Sequence, residues 1–235
     1  YARTIIDNGN TLLNAGITIK INKGLAGAFG SATGINYGPV NQNNQNSYLL
    51  TNGQLSYGYS SNLDILDSTG FNAGKRKQFL QKTSTTFSIN LGVEYTTPSA
   101  LSDDPYAYDL KIGVSLLDLG YNNFQYSNNS RNAVLNKGNV SDSLIQASFE
   151  NINSVDDIRD SLGNISGSFT VFLGNFKIFQ PARIVLNVDK EISENIFVNA
   201  ELTLPLTPLL GNKNLFTPDM NLVALTPRFE TKAFG

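Results

Sequence analysis

Polar and apolar residues alternate in steps of two from Pro181 to Pro205 (PARIVLNVDKEISENIFVNAELTLP). Ile184, Leu186 and Val188 fall on one side of an extended chain, and Arg183, Asn187 and Asp189 fall on the other. After Ser193-Glu194-Asn195 the pattern resumes. Ile196, Val198, Ala200, Leu202 and Leu204 stand against Asn199, Glu201 and Thr203, with Phe197 as the exception. Successive side chains of a strand point to opposite faces, so two such runs across a tight turn predict an antiparallel hairpin. Each arm has about the 9–11 residues that a tilted strand needs to cross a bilayer.

The same unit recurs along the chain. Leu13, Ala15, Ile17, Ile19 and Ile21 alternate with Asn14, Gly16, Thr18, Lys20 and Asn22, after a turn at Asp7-Asn8-Gly9-Asn10 of the type I′ kind. Leu55, Tyr57 and Tyr59 mark another strand. Phe87, Ile89, Leu91, Val93 and Tyr95 face one way, and Ser88, Asn90, Gly92, Glu94 and Thr96 face the other. The return strand carries Tyr108, Leu110, Ile112, Val114 and Leu116 opposite Asp109, Lys111, Gly113 and Ser115. Tyr95 and Tyr108 end these apolar faces beside one turn, where an interfacial aromatic girdle would place them. Residues 169–179 are strongly aromatic and predict a strand with a bulge around Gly174. Residues 222–231 predict a last strand interrupted by Pro227, making eight strands in all.

Between the strands the chain changes character. Gly24 to Gly38 is rich in Gly, Ala and Ser and reads as a flexible loop, as does the low-complexity run NQNNQN at 41–46. Lys75-Arg76-Lys77 lies in a polar connection and reads first as solvated loop, second as a contact for an anionic head group. Asp103-Asp104-Pro105 sits in the next connection. From Gly120 to Ser168 the chain is Asn- and Ser-rich. Within it, Ser154-Val155-Asp156-Asp157 resembles a capping box opening a short helix through Leu162, stopped at Gly163.

Two-faced strands with few helices to cover them fit two solvents. In a soluble sandwich the apolar faces meet each other; in an outer-membrane barrel they meet lipid, and the polar faces line a wet lumen. Strands of about ten residues exceed the usual five or six of globular sheets. Tight turns alternate with long polar connections, and full charges stand among Gly and Asn on the polar faces. The expected fold is therefore all-β, an antiparallel transmembrane β-barrel forming a single domain over residues 1–235, as an incomplete segment of a larger barrel. The lumen would be lined by Thr18, Lys20, Asn90, Glu94, Lys111, Asn187 and Glu201. Their mixed signs predict weak ion selectivity, or pairing that plugs the lumen.

Composition narrows the chemistry. The 235 residues carry a formal charge of −2, and only 15% are charged, so there is no electrostatic footprint for nucleic acid. Cysteine and histidine are both absent, which removes disulfides, thiolate or histidine metal sites and the familiar Ser-His-Asp and Cys-His nucleophile pairs. Asp103-Asp104 and Asp156-Asp157 read as turn and helix-start residues rather than an acid/base pair. Calcium at Asp64, Asp67 or Asp156–Asp160 has no EF-hand spacing behind it, so solvated loop is the stronger reading. No catalytic, cofactor or metal site is expected.

Four blocks carry a resemblance: YARTIIDNGNTLLNAGITIKINKGLAGAFG, YDLKIGVSLLDLG, PARIVLNVDKEISENIFVNAELTLPL and ALTPRFETKAFG. In this order they resemble an uncharacterised outer-membrane barrel family of Bacteroidota-type bacteria, a domain of unknown function. The resemblance implies strands before the first block and after the last, and no catalytic residues. The expected function is a non-enzymatic pore, or an integral subunit of a transport, secretion or barrel-assembly complex. Its location would be the bacterial outer membrane, and its partners outer-membrane lipids, lipopolysaccharide and other outer-membrane or periplasmic proteins. The alternative is a soluble, secreted β-sandwich used for binding or adhesion.

Overall fold

The computed structural model describes residues 1–42, 45–66, 72–100, 107–136, 140–193, 195–207 and 215–230. Asp67, Asp103-Asp104-Pro105 and the last residues of the closing block lie outside them. In chain order the elements are β1 (Ala2–Asp7), β2 (Leu12–Gly24), β3 (Ala28–Gln42), β4 (Gln45–Tyr59), a 3-10 turn (Leu63–Ile65), α1 (Ala73–Gln81), β5 (Ser84–Pro98), β6 (Tyr108–Gln125), β7 (Arg131–Val134), β8 (Val140–Ser141) and α2 (Asp142–Phe149). There follow α3 (Val155–Ile165), β9 (Ser168–Val171), β10 (Asn175–Phe179), β11 (Arg183–Ser193), β12 (Ile196–Pro205), β13 (Leu215–Phe216) and β14 (Leu222–Phe229). They divide into two compact units: Tyr1–Asn22, Thr85–Asn122 and Lys177–Gly235 form the first, Lys23–Ser84 and Asn123–Phe176 the second.

The first unit is built on a sheet ordered β1-β2-β5-β6-β11-β12-β14. The expected hairpins are present: β5 with β6 and β11 with β12 run antiparallel, and β11 also pairs with β6. The all-β antiparallel class is thus observed, but the sheet is not a closed barrel. Among the described residues β1 and β14 are its two edges, and no ladder joins them. Pro227 does not interrupt β14, where it faces Val198. An edge strand tolerates a missing N–H on its free side. The turn before β2 also differs from expectation. Only Gly9 takes a positive φ, +79°, whereas type I′ needs two such residues. Instead the Asn8 side-chain oxygen accepts from the Asn10 and Thr11 N–H groups, at 3.1 and 2.8 Å.

The second unit has an ordinary apolar core. Its sheet is ordered β3-β4-β7-β9, with β8 also on β4. Leu50, Ala133 and Val140 from the strands, and Leu135 just beyond β7, meet Leu162 and Ile165 of α3, with Ile145 and Phe149 of α2 packed against them. The Gly-rich segment expected to be loop is therefore largely β3, paired with β4 from Ala28↔Tyr59 onward. Gly34, at φ +59°, sits where the register shifts between Thr33 and Asn36. Long-range pairing overrides a composition that by itself favours no strand. The polar run at 41–46 is likewise mostly taken up by the ends of β3 and β4. The aromatic stretch 169–179 is two strands, parted at Gly174 (φ +84°): β9 pairs with β7, β10 with β6.

The expected capping box opens α3. The Ser154 hydroxyl accepts from the Asp157 N–H at 3.1 Å, and the Asp157 carboxylate accepts from the Ser154 and Asn153 N–H groups at 2.9 and 3.0 Å. The helix passes through Gly163 to Ile165, because Leu162 and Ile165 both enter the core and the next turn is held by burial. Sequence reading anticipated neither α1 nor α2. Each is short, and each opens with a polar N-cap, Asn72 or Ser141, set in a polar connection.

Two outcomes are expected. Leu162→Ala opens a cavity between α3 and the sheet and destabilises the second unit by about 3 kcal/mol; faster amide exchange in β7 and α3 reads this out. The Asn153 N–H, then the Ser154 side chain, hold the Asp157 carboxyl below the usual carboxylate range. A depressed folded pKa contributes stability present above the ordinary aspartate value and lost as pH falls through the lowered one. Protection factors at the α3 N-terminus, corrected for the intrinsic pH dependence of amide exchange, should therefore fall on acidification through that window, and Asp157→Asn should flatten the dependence.

Candidate functional site

The ladder register of the first unit sorts side chains into rows. Val93, Val114, Leu186, Leu202 and Val223 stand abreast, as do Tyr95, Ile112, Val188, Ala200 and Leu225. On the opposite face Glu94, Gly113, Asn187, Glu201 and Ala224 run between these two rows, and Thr96, Lys111, Asp189, Asn199 and Thr226 run just beyond the second. One face is thus apolar and the other polar over five adjacent strands.

Burial along these strands is inverted relative to a protein folded in water. Ile21 is 73% exposed, Phe87 63% and Leu225 71%, and Val93, Val114, Leu186 and Val188 are all exposed. By contrast Asp189 and Glu191 are 5% and 6% exposed, and Ser88 and Thr203 are also buried. Each exposed large apolar side chain forgoes roughly 1 kcal/mol or more of transfer free energy in water. Over a dozen such residues, that loss rivals the whole 5–15 kcal/mol net stability of an ordinary domain.

The polar face is concave. It carries a groove of about 680 Å³ lined by Arg3, Thr18, Asn90, Glu94, Lys111 and Asn187, among others. Five of the seven residues read as lumen-facing from sequence therefore share one cavity. Glu201 faces Asn187 across the β11–β12 ladder. Lys20 is engaged in an ion pair instead, 2.6 Å from Asp118 Oδ1. Asp118 also meets Arg183 at 3.3 Å, and Arg183 meets Asp219 at 3.3 Å. Asp118 occupies a bulge at φ +58°, and its N–H donates to Asn90 Oδ1 at 2.8 Å. Asn90 thus helps fix the bulge as well as lining the groove.

A second cluster holds β6, β11, β12 and β14 together. Arg228 donates to Asp189 Oδ2 at 2.9 Å and to the Tyr108 hydroxyl at 2.6 Å, and that hydroxyl donates to Asp189 Oδ2 at 3.0 Å. The guanidinium lies 5.1 Å from the Phe197 ring, which sits 5.5 Å from the Tyr108 ring. This accounts for Phe197, the one apolar residue on the polar side of its strand: it is the platform on which the cation rests. Lys111 Nζ lies 4.3 Å over the Tyr108 ring, and Ser99 donates to Glu191. Between the two clusters Asn187 and Asn199 exchange amide hydrogen bonds at 3.0 and 3.3 Å.

The two girdle tyrosines part company. Tyr95 stands in an apolar row, while the Tyr108 hydroxyl belongs to the ionic cluster of the polar face. The register shift between Thr97 and Pro98 breaks the alternation just where Tyr108 enters β6. Sequence reading also missed Arg228, Asp118 and Glu191. For Arg228 the signal was present: Ala224, Thr226 and Arg228 continue the polar parity of a strand expected to be interrupted at Pro227. Among the described residues no three metal-ligating side chains converge. Asp64 accepts from Ser127 at 2.8 Å, and Asp156 and Asp160 flank Arg159 at 2.7 and 2.8 Å.

Fold and faces define a two-faced antiparallel β-sheet protein with an appended α+β unit. The chain belongs to a family of unknown function (DUF5723), whose model matches residues 1–233. No curated protein and no solved structure matches it.

Arg228→Ala should cost about 2 kcal/mol, below the usual range for breaking a buried pair because the guanidinium is itself a third exposed. Tyr108→Phe, which keeps the ring and removes only the hydroxyl, should cost about 1 kcal/mol. The shift in urea midpoint of the full chain measures both, and equal effects would show that the ion pair adds nothing beyond the hydrogen bonds of the Tyr108 hydroxyl.

Proposed function

We propose that the first unit is part of the wall of an outer-membrane β-barrel in a Bacteroidota-type envelope, with a structural or pore role and no catalytic one. The observation that carries this reading is the inverted burial: apolar rows turned outward, charged and amide groups turned inward. A lipid solvent makes the exposed rows favourable, and a wet interior suits the charged and amide groups of the polar face. Within a bilayer an open sheet edge leaves backbone groups unsatisfied. The free edges of β1 and β14 are therefore closed by further strands, either of the same barrel or of a larger outer-membrane or periplasmic assembly.

The groove residues Thr18, Asn90, Glu94, Lys111 and Asn187 line the lumen, with Lys20 and Glu201 on the same wall. Carboxylate and ammonium groups are both represented, so a conducting form discriminates weakly between small ions. The soluble sandwich requires a second layer over the apolar rows, and their exposure speaks against one.

The chain has no native cysteine, which makes a direct test clean. In membranes, Glu94→Cys and Asn187→Cys should react with a water-soluble maleimide, and Val93→Cys and Leu186→Cys should not until the protein is denatured. The protein should resist carbonate extraction and migrate faster unboiled than boiled in detergent gels. Release by carbonate, with all four cysteines equally reactive, would sink the membrane reading.

A further inference from the structure

We propose that α1 is a head-group-binding helix, whose cations Arg76 and Lys77, with Lys82 just beyond its end, engage the phosphates of an anionic lipid surface. The inference rests on the membrane reading above. The helix has the sequence AGKRKQFLQ, with no acidic residue, and none of its side chains is buried. Arg76, Lys77 and Lys82 are exposed, and no ion pair to any of them occurs among the described residues. An isolated helix of nine residues is marginal in water, because nucleation costs more than two turns return. Here the charge distribution makes matters worse. The cations crowd the N-terminal half, where the helix dipole is already positive.

Anions at this end reverse both penalties at once. They neutralise the adjacent cations and complement the dipole, with Asn72 capping the Lys75 N–H at 3.0 Å. The geometry suits a surface rather than a deep site. Ala73, Arg76, Lys77, Leu80 and Gln81 line a shallow groove of about 340 Å³, and Leu80 is 44% exposed beside the cations. Cations on an open, shallow patch suit the phosphates of a surface rather than a single enclosed ligand. In the sequence Lys82 is followed, five residues on, by Phe87, an exposed apolar residue of β5.

The test places a reporter on the helix. Gln78→Cys, labelled with an environment-sensitive fluorophore, is introduced into the full chain. The protein is reconstituted into vesicles of phosphatidylcholine alone or mixed with phosphatidylglycerol, and a boiling shift confirms barrel insertion in each sample. Acrylamide quenching should be weaker in the anionic vesicles, and high salt should restore it. Neutralising Arg76, Lys77 and Lys82 to Gln should abolish the difference, each cation being worth about fivefold in surface partitioning. Equal quenching in the two vesicle types, with the boiling shift intact, overturns this proposal alone. Shielding by inorganic phosphate in phosphatidylcholine vesicles also overturns it, in favour of a soluble anion site. Loss of the boiling shift in every sample overturns the membrane reading and this inference with it.

Discussion

Register is the constraint on which the first unit depends. Side chains alternate with a period of two, so each ladder must align apolar with apolar and polar with polar, or every residue changes face. In β5, β6, β11 and β12 the alignment holds over several consecutive pairs, from Gly92↔Ser115 to Thr96↔Lys111 and from Ile184↔Leu204 to Lys190↔Val198. A slip of one residue would bring Glu94, Asn187 and Glu201 into the outward rows and Val93, Leu186 and Leu202 into the groove. The bulge at Asp118 fixes the setting between β5 and β6, because Asn90 holds its backbone in a conformation costing about 1 kcal/mol.

The polar face shows how a sheet can turn charge inward without leaving it bare. Its ion pairs gather into two clusters, one around Asp118 and one around Asp189, with amides bonded to amides between them. A buried carboxylate is tolerated only when partners replace most of its hydration. Asp189 is partnered at Oδ2 by Arg228 and Tyr108, which come from strands on either side of the β11–β12 hairpin, while its Oδ1 has no protein partner. The cluster thus ties edge strand β14 to the centre of the sheet by side chains as well as by backbone.

The second unit follows the opposite rule. Leu50, Ala133, Leu135, Leu162 and Ile165 are buried against one another, and helices α2 and α3 cover the sheet. The two units therefore ask for different surroundings. One has an interior of hydrocarbon side chains and suits water; the other presents hydrocarbon outward and keeps its polar groups within. Helices α1, α2 and α3 all fall in long connections between strands rather than in hairpin turns.

By itself the sequence determined what a period of two can encode: the all-β class, the hairpins at 86–116 and 183–205, which residues share a face, and the capping box at Ser154. It could not reveal where non-local pairing would overrule composition. The Gly-rich stretch became β3 because β4 offered it a partner, and β14 ran through Pro227 because it lay at an edge. Nor did it reveal which face was covered, since alternation is the same whether the apolar side meets a second sheet or lipid. Side chains that join across strands were equally hidden. Tyr108, Asp189 and Arg228 are scattered along the chain and meet only once the register of three ladders is fixed. Local pattern is written in neighbouring residues, while burial, edges and ionic clusters are properties of strands brought together from a distance.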